Sequence, residues 1–387
     1  MLIPLGYNLR SLWVRRSSTL LTVLGLGATV TIVSAVLALQ HGFQSMFTAG
    51  GREDLAVFLR PGATNEGDSI FRRDLGARLV NTVGEIVSDA GGPRASMECY
   101  LAVLARKLDG GETNVPLRGV QPRTFDLRAG ELEIVAGRRF TPGSDEVIVG
   151  ESLVRRLQNC GLDDVIVLNT TPFRVVGVFR HPGAFASEIW GDLERFMPTL
   201  GRYGPNRVIA EVQPGTDFEA LSARLEGDKE VPAKVLSERE FLESQTRVFS
   251  TALLTLGRVL GLIMGIGAIF AATNTMLASV VARTSEIGIL LAMGFRPLPV
   301  FVAFQLEALV LGLAGGVVGG LAALSLNGVE TGAMNWQTFT EFAFAFRVTP
   351  GVLGSAIGFS LVLGLLGGAW PAWRAARMKP TEALRLE

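Results

Sequence analysis

The stretch STLLTVLGLGATVTIVSAVLALQ, residues Ser18–Gln40, decides the fold class of this 387-residue chain. It contains 23 residues without a formal charge. Since an α-helix rises about 1.5 Å per residue, a helix of this length crosses a hydrocarbon core of about 30 Å. The run is longer than the apolar region of a signal peptide, and no clear small-residue cleavage site follows it. We therefore expect a retained transmembrane helix.

Three further apolar blocks, in the C-terminal third, predict three more transmembrane helices. They cover Val259–Ala282, Val300–Leu326 and Val352–Trp370. With four spans, the basic residues that flank the blocks all fall on one side, which the positive-inside rule assigns to the cytoplasm. These residues are Arg10, Arg15, Arg16, Arg283, Arg296, Arg374, Arg377, Lys379 and Arg385. The long segment between the first and second spans is then outside the cytoplasm.

That segment has the composition of a soluble α+β protein. Short β-rich runs separated by Pro-Gly and Gly-Gly turns interleave with amphipathic helical stretches such as 69–89, 151–158 and 217–226. We predict an extracytoplasmic domain at 49–246. Residues 1–48 would hold the cytoplasmic N-terminus, the first span and the start of a stalk. Residues 247–387 would hold a stalk helix, three spans and a cytoplasmic tail.

The second span is predicted to begin well before its apolar block. Residues 237–255 favour a helix and contain neither Gly nor Pro. Joined to the span, they would form a helix of about 40 residues, or about 60 Å, which is roughly twice the thickness of a bilayer core. We therefore expect this helix to project from the membrane as part of a stalk.

Small and polar residues inside the spans indicate helix packing. Glycines recur at a spacing of four, which lets helix backbones approach closely in lipid. They are Gly257, Gly261, Gly265, Gly312, Gly316 and Gly320. Polar residues within the spans, such as Asn274 and Glu307, are too few to line a hydrophilic substrate path through the membrane. We expect Glu307 to pair within the bundle rather than to transfer protons.

Composition and motifs argue against an enzyme. The net charge is zero, so nothing draws the chain towards nucleic acid, and no Gly-Lys pair exists from which to build a phosphate-binding P-loop. We therefore expect no cofactor and no catalytic residue in this chain. His41 and His181 lack ligand-like spacing, so we expect surface or boundary histidines and no metal. A disulfide between Cys99 and Cys160 is left open.

Arginine greatly outnumbers lysine, since the chain has four lysines among 36 basic residues. We attribute this excess to genome composition rather than to guanidinium chemistry.

The segment Val281–Pro297 reads VARTSEIGILLAMGFRP and predicts a short helix at the membrane surface. It has a charged beginning, Arg283 and Glu286, followed by an apolar stripe. Gly294 can end the helix, and Pro297 delays the next one. Such a helix could simply lie on lipid, or it could dock a cytoplasmic partner.

Three motifs in this region resemble those of one family. Residues 283–294 read R-x-x-E-I-G-I-L-x-A-x-G, residues 307–319 read E-x-x-x-x-G-x-x-G-G-x-x-G, and residues 371–385 begin Pro-Ala-Trp-Arg-Ala-Ala. Together they resemble the FtsX/MacB-type ABC transporter permeases, also called the type VII or mechanotransmission class. Residues 59–63 and 173–179 are similar to pieces of the MacB-type periplasmic core domain.

The resemblance implies a multi-pass protein of the bacterial inner membrane, surrounded by lipid. It implies a permease that pairs with a second permease, identical or related, and binds a separate ABC ATPase that holds ATP and Mg. A periplasmic adaptor or an outer-membrane partner is a further implication. By the same resemblance, a coupling helix would contact the ATPase through Arg283, Glu286, Ile287, Gly288, Leu291 and Gly294.

The implied function is coupling of ATP hydrolysis to movement of the extracytoplasmic domain. Such movement would export or extract a hydrophobic or amphiphilic substrate, such as a lipid, a lipoprotein, a glycolipid or a drug. The alternative is a regulatory FtsX-like scaffold that activates an envelope hydrolase. The fold does not choose between these functions or among the substrates.

Overall fold

Four long helices and several short ones occur along the described residues. The computed structural model describes residues 16–335 and 340–379. The helices are α1 (Arg16–Thr48), α2 (Arg73–Thr82), α3 (Arg123–Leu127), α4 (Glu151–Val154), α5 (Leu193–Thr199), α6 (Phe218–Glu226), α7 (Glu238–Ala282), α8 (Thr284–Ala292), α9 (Pro297–Leu324) and α10 (Pro350–Ala376). The predicted basic flanks Arg10, Arg15 and Arg385 lie outside the described residues.

The strands lie between α1 and α7, with one further hairpin between α9 and α10. They are β1 (Leu55–Leu59), β2 (Ser88–Asp89), β3 (Gly92–Pro93), β4 (Ala95–Arg106), β5 (Glu112–Val120), β6 (Glu133–Gly137), β7 (Glu146–Gly150), β8 (Val165–Leu168), β9 (Thr171–Arg180), β10 (Ile189–Asp192), β11 (Arg207–Glu211), β12 (Lys234–Ser237), β13 (Glu330–Asn335) and β14 (Thr340–Ala345).

The chain folds into two units. The sheet unit comprises Phe43–Phe249 and Glu330–Phe344, and the helix unit comprises the described residues up to Gly42, Ser250–Val329 and those from Ala345 onward. The boundaries predicted from the sequence were 49–246 for the outer domain, so the hairpin at 330–344 is an addition. From the sequence, only a short loop outside the cytoplasm, at about 327–349, is expected between the third and fourth spans.

Ten of the described strands in the sheet unit form one sheet. Its order is β12-β1-β11-β4-β5-β10-β7-β9-β6, with β8 also paired to β9. Neighbours run antiparallel except for two pairs, β10 with β5 and β7 with β9. The helices of the unit are short and connect or cover these strands. This arrangement confirms the predicted α+β domain.

Side-chain alternation explains why both faces of the sheet are covered. In β7, Val147 and Val149 belong to one apolar cluster with Phe173 and Ile189. Ile148, between them, belongs to another cluster that contains Trp190. Because successive side chains of a strand point to opposite faces, a strand apolar at every position is buried on both sides.

The helix unit contains the four apolar stretches. Within the described residues, four helices are long and apolar enough to cross a membrane: α1, α7, α9 and α10. Helix α7 has 45 residues, close to the length predicted for the stalk helix. In α9 and α10, Gly312 and Gly364 let the backbones meet, and the Ser360 hydroxyl donates to the Gly312 carbonyl at 2.7 Å.

Some predicted elements are shorter or longer than expected. The helix predicted over 69–89 is reduced to α2, and the one over 151–158 to the four residues of α4. Strand β9 (Thr171–Arg180) extends beyond both ends of the β-rich run 173–179, for which the sequence predicts a strand. Strands β5, β6, β10 and β12 were not predicted, because polar or charged residues interrupt their apolar pattern.

Candidate functional site

The candidate site begins with α8, the short helix between the long helices α7 and α9. Arg283 has non-helical backbone angles and separates α7 from α8. At the other end, Gly294 has a φ of +91°, a left-handed conformation that glycine adopts without steric cost. Pro297 is the first residue of α9. The predicted order of helix, glycine stop and proline start is present.

The inner face of α8 packs against the helix unit itself. Ile287 and Gly288 are buried. Ile287 lies in an apolar cluster with Val280, Val300 and Phe304, and Leu291 packs against that cluster. Ile287, Gly288 and Leu291, which were predicted to contact an ATPase, therefore contact the chain's own helices instead. Their contribution to docking would be to hold α8 in place.

The outer face of α8 mixes one charge with apolar side chains. Glu286 has a side chain that is 55% exposed. Ile289 and Met293 are 49% and 65% exposed, and Leu298, just past the helix, is 68% exposed. This face therefore exposes apolar side chains beside a single carboxylate.

Arg283 and Glu307 form a buried ion pair beneath α8. Arg283 Nη1 lies 3.1 Å from Glu307 Oε2, and the Ser279 hydroxyl lies 3.2 Å from Glu307 Oε1. Arg283 Nε also lies 3.5 Å from Glu286 Oε2. The expectation that Glu307 pairs within the bundle is thereby met. The other predicted intramembrane polar residue, Asn274, lies on an exposed part of α7.

The predicted packing glycines contact neighbouring helices of the same chain. A Cβ added at Gly257 would lie 3.1 Å from Val36 Cγ1, and one added at Gly312 would lie 2.8 Å from the Ser360 carbonyl oxygen. Similar contacts of 3.1–3.5 Å would form at the remaining predicted positions, Gly261, Gly265, Gly316 and Gly320. These faces serve packing within the helix unit.

A second cluster, which the sequence analysis missed, lies in the sheet unit. We call it the buried ion network: Glu66, Glu98, Arg118, Glu188 and Arg207, none of whose side chains is more than 8% exposed. Arg118 on β5 forms two hydrogen bonds with Glu188, at 2.7 and 2.8 Å. Arg207 on β11 donates to Glu98 at 2.8 and 2.6 Å and to Glu66 at 2.5 Å.

The network uses properties that arginine has and lysine lacks. Each guanidinium presents several donors in a planar fork, so Arg118 contacts three carboxylates at once. Arg118 and Arg207 therefore depend on guanidinium chemistry, and the attribution of the overall arginine excess to genome composition stays a prediction. A hint was available only for Arg207, which begins the β-rich run 207–212, where an unpaired charge would be costly.

The network also shifts the pKa of two of its members, Glu98 and Arg118. Burial raises the pKa of Glu98, but the guanidinium groups of Arg207 and Arg118 outweigh burial and lower it to about 2. Burial lowers the pKa of Arg118, but the carboxylates of Glu188 and Glu66 raise it well above its usual value. Glu98 and Arg118 therefore stay ionised at neutral pH.

A neighbouring pair fastens the first residue of α7. Arg128, which follows α3, forms a fully buried ion pair with Glu238. The Arg128 guanidinium also lies 4.3 Å from the centre of the Phe185 ring. Gln245, two turns further along α7, donates to the Thr64 carbonyl at 2.9 Å. The beginning of α7 is therefore held within the sheet unit by a buried ion pair and by an exposed hydrogen bond.

The histidine and cysteine expectations have mixed outcomes. His181 is buried, which corrects the expectation of a surface or boundary residue; its Nδ1 accepts a hydrogen bond from the Gly183 amide at 2.9 Å. Cys99 and Cys160 are buried free thiols. Burial raises the pKa of each to about 12. Among the described residues, no group of three or more His, Cys, Asp or Glu could hold a metal ion.

Comparisons with known proteins identify the family. A family model of the MacB-like periplasmic core domain matches residues 19–228, and a model of the FtsX-like permease C-terminal region matches residues 258–380. The chain belongs to the FtsX/MacB-type ABC transporter permeases. These matches confirm the resemblance to this family that the three sequence motifs indicated.

Individual relatives extend over most of this FtsX/MacB-type permease. It is 27% identical to the pyoverdine export ATP-binding/permease protein PvdT of Pseudomonas fluorescens Pf-5, over 98% of this chain and 58% of that protein. It is 26% identical to the macrolide export ATP-binding/permease protein MacB of Agrobacterium fabrum, over 97% of this chain and 59% of that protein. It is 26% identical to the ABC transporter permease YknZ of Bacillus subtilis, over 71% of each. The chain therefore spans little more than half the length of the fused relatives.

Proposed function

We propose that this permease spans the bacterial inner membrane four times, with the sheet unit outside, and that a separate ABC ATPase docks on α8 in the cytoplasm. The observation that carries the proposal is the difference between the two faces of α8, one packed and one exposed. Its inner face is fixed to the helix unit, and its outer face presents Glu286, Ile289 and Met293. A partner that pushes on such a helix pushes on the helices beneath it.

The exposure of apolar side chains supports the membrane embedding. The most apolar windows of α1, α7, α9 and α10 are only 28–50% buried within the chain. Large side chains such as Leu21, Leu262 and Phe270 are 71%, 66% and 72% exposed. In water this exposed surface would cost about 25 cal/mol per Å². In lipid it is compatible with its surroundings, so the helix unit fits a bilayer.

The length of α7 and its attachment support a transmitted motion. Residues 238–249 belong to the sheet unit, and residues 250–282 of the same helix belong to the helix unit. Glu238 is bound to Arg128, and Gln245 to Thr64, within the sheet unit. We propose that ATP-driven displacement of the helix unit reaches the sheet unit through α7 and acts on a hydrophobic or amphiphilic substrate outside the membrane.

The family resemblance extends the proposal to partners. Two permease chains, identical or related, would bind two ATPase subunits, and a periplasmic adaptor or an outer-membrane protein would receive the substrate. PvdT and MacB are named for export of pyoverdine and macrolides. The described contacts of this chain do not select either substrate.

Charge reversal at Glu286 tests the docking. The full chain in lipid nanodiscs is titrated with a candidate ABC ATPase from the same genome, and the dissociation constant is measured. Glu286→Lys should weaken binding at least about tenfold, or about 1.4 kcal/mol, because a docking surface with a reversed charge repels its former partner. The variant should insert normally, since Glu286 is exposed.

The matched control is Glu226→Lys, another reversal of an exposed glutamate, at the end of α6 in the sheet unit. It should leave binding unchanged. Equal ATPase affinity for Glu286→Lys and the native chain would refute docking on α8. Labelling of intact spheroplasts tests the orientation: a single cysteine introduced at Asp109 should react with an impermeant maleimide, and one introduced at Glu286 should not.

A further inference from the structure

Arg283 connects an exposed carboxylate to a buried one. It is the residue between α7 and α8, and its side chain is only 9% exposed. Its Nε lies 3.5 Å from Glu286 on the outer face of α8, while its Nη1 lies 3.1 Å from Glu307 inside the helix unit. One guanidinium therefore contacts both Glu286, on the proposed docking surface, and Glu307, on the buried face of α9.

The interior side of this contact has a defined geometry. The Glu307 side chain is 3% exposed and also contacts the Ser279 hydroxyl of α7. Phe304, one turn earlier on α9, places its ring centre 5.3 Å from the Arg283 guanidinium carbon. The guanidinium is thus held by a carboxylate and an aromatic ring on the same face of α9.

Apolar contacts transmit a push but do not by themselves fix the direction of the resulting movement. Ile287 and Leu291 of α8 also contact the helices beneath, but apolar contacts are non-directional and can slide. A buried ion pair resists separation, because each charge left alone in apolar surroundings is strongly destabilised. Displacement of α8 should therefore carry Glu307, and with it α9, rather than break the pair.

We propose that Arg283 and Glu307 are positioning residues that transmit displacement of α8 to α9, with Glu286 setting the position of Arg283 when the ATPase docks. The inference rests on the proposed docking of an ATPase on α8. A cationic group of the partner that pairs with Glu286 would draw this carboxylate from Arg283. The Arg283–Glu307 contact would then tighten as the partner binds.

The experiment separates docking from transmission in the full chain, reconstituted in nanodiscs with its ATPase. Docking is measured as the dissociation constant. Transmission is measured as the ATP-dependent change in deuterium uptake of residues 238–249, at the start of α7. Glu307→Gln, which keeps the size of the side chain, should leave the dissociation constant within about twofold. It should reduce the uptake change at least about fivefold.

Exchanging the charges provides the rescue. The double variant Arg283→Glu with Glu307→Arg should restore at least about half of the uptake change, because the pair is re-formed with reversed polarity. Glu226→Gln is the matched control, since it removes an exposed carboxylate at the end of α6 and should leave both the dissociation constant and the uptake change as in the native chain. Should the double variant not fold, Glu307→Gln alone decides, with monodispersity in gel filtration as the folding check.

Two results would overturn the inference. One is a native-sized uptake change in Glu307→Gln. The other is weakened ATPase binding in Glu307→Gln to the degree expected for Glu286→Lys, which would make the pair a support of the docking surface. If the native chain itself binds no ATPase, the proposed function fails as well, and the native arm of the same experiment shows it.

Discussion

Replacing Glu98 by glutamine should loosen the centre of the sheet. The carboxylate accepts three hydrogen bonds from Arg207 and Arg118, and Thr124 also donates to it. Removing one partner of a buried ion pair costs about 3–5 kcal/mol. Since Arg207 keeps Glu66 and glutamine keeps an acceptor oxygen, we expect the lower end, about 3 kcal/mol.

Hydrogen exchange of the full chain in nanodiscs measures this effect locally. A loss of about 3 kcal/mol corresponds to an exchange rate raised about 100-fold in the amides of β4, β5 and β11 that open with the network. The control is Glu85→Gln, which removes a surface partner of Arg224 at 2.8 Å. A surface pair contributes about 0–1 kcal/mol, so exchange there should rise less than about fivefold.

Acidification should reproduce the effect in the native chain. The folded pKa of Glu98, about 2, lies below its ordinary value of about 4.3 in an unfolded chain. Glu98 therefore stabilises the fold above about pH 4.3, and this stabilisation is lost as the pH falls towards 2. Glu98→Gln should lack this part of the acid sensitivity, after correction for the intrinsic exchange rate at each pH.

The reasoning would be refuted by a simple result. If Glu98→Gln raises exchange in β4 and β5 no more than Glu85→Gln raises it around α2 and α6, the buried ion network contributes no more than a surface pair. A change of acid sensitivity without a change of exchange at neutral pH would also contradict the assigned role.

Two further predictions concern thiols and glycines. Cys99 and Cys160 should resist a maleimide in the native chain at pH 7 and react after denaturation, because both thiols are buried with a pKa raised to about 12; fast native labelling would contradict their placement. Gly319→Val should lower the yield of monodisperse protein severalfold, because a Cβ there would lie 2.6 Å from atoms of α1. Gly358→Ala is the matched control and should be tolerated, since no atom of the described residues lies within 4 Å of its added Cβ.

The helix unit could be predicted well from the sequence because its information is local. The length of an apolar block can be counted directly in the sequence. Gly294 marks the end of α8, and Pro297 marks the beginning of α9. The three motifs of the C-terminal third added the family. The pairing of Glu307 could be expected in kind, since an unpaired carboxylate inside a bundle is costly. Its partner, Arg283, had instead been assigned to the ATPase interface.

The centre of the sheet unit could not be predicted in the same way. Strand β5 contains Glu112, Pro116 and Arg118, so its hydropathy indicates an exposed loop rather than a buried strand. Arg118 is buried because Glu66 and Glu188 neutralise it, and these lie 52 and 70 positions away in the chain. Local sequence patterns do not reveal ion-pair partners that lie so far apart in the chain. The hairpin β13–β14 was missed because a short connection between spans gave no reason to assign it to another unit.

The buried ion network has a consequence for how this family changes over evolutionary time. Its five members come from segments up to 141 positions apart in the chain. Loss of any one leaves its partners charged and buried, so a lineage that changes one position is disfavoured until another changes too. Substitutions at Glu66, Glu98, Arg118, Glu188 and Arg207 should therefore co-vary among homologues, and lineages that lose the network should replace several members together with apolar residues.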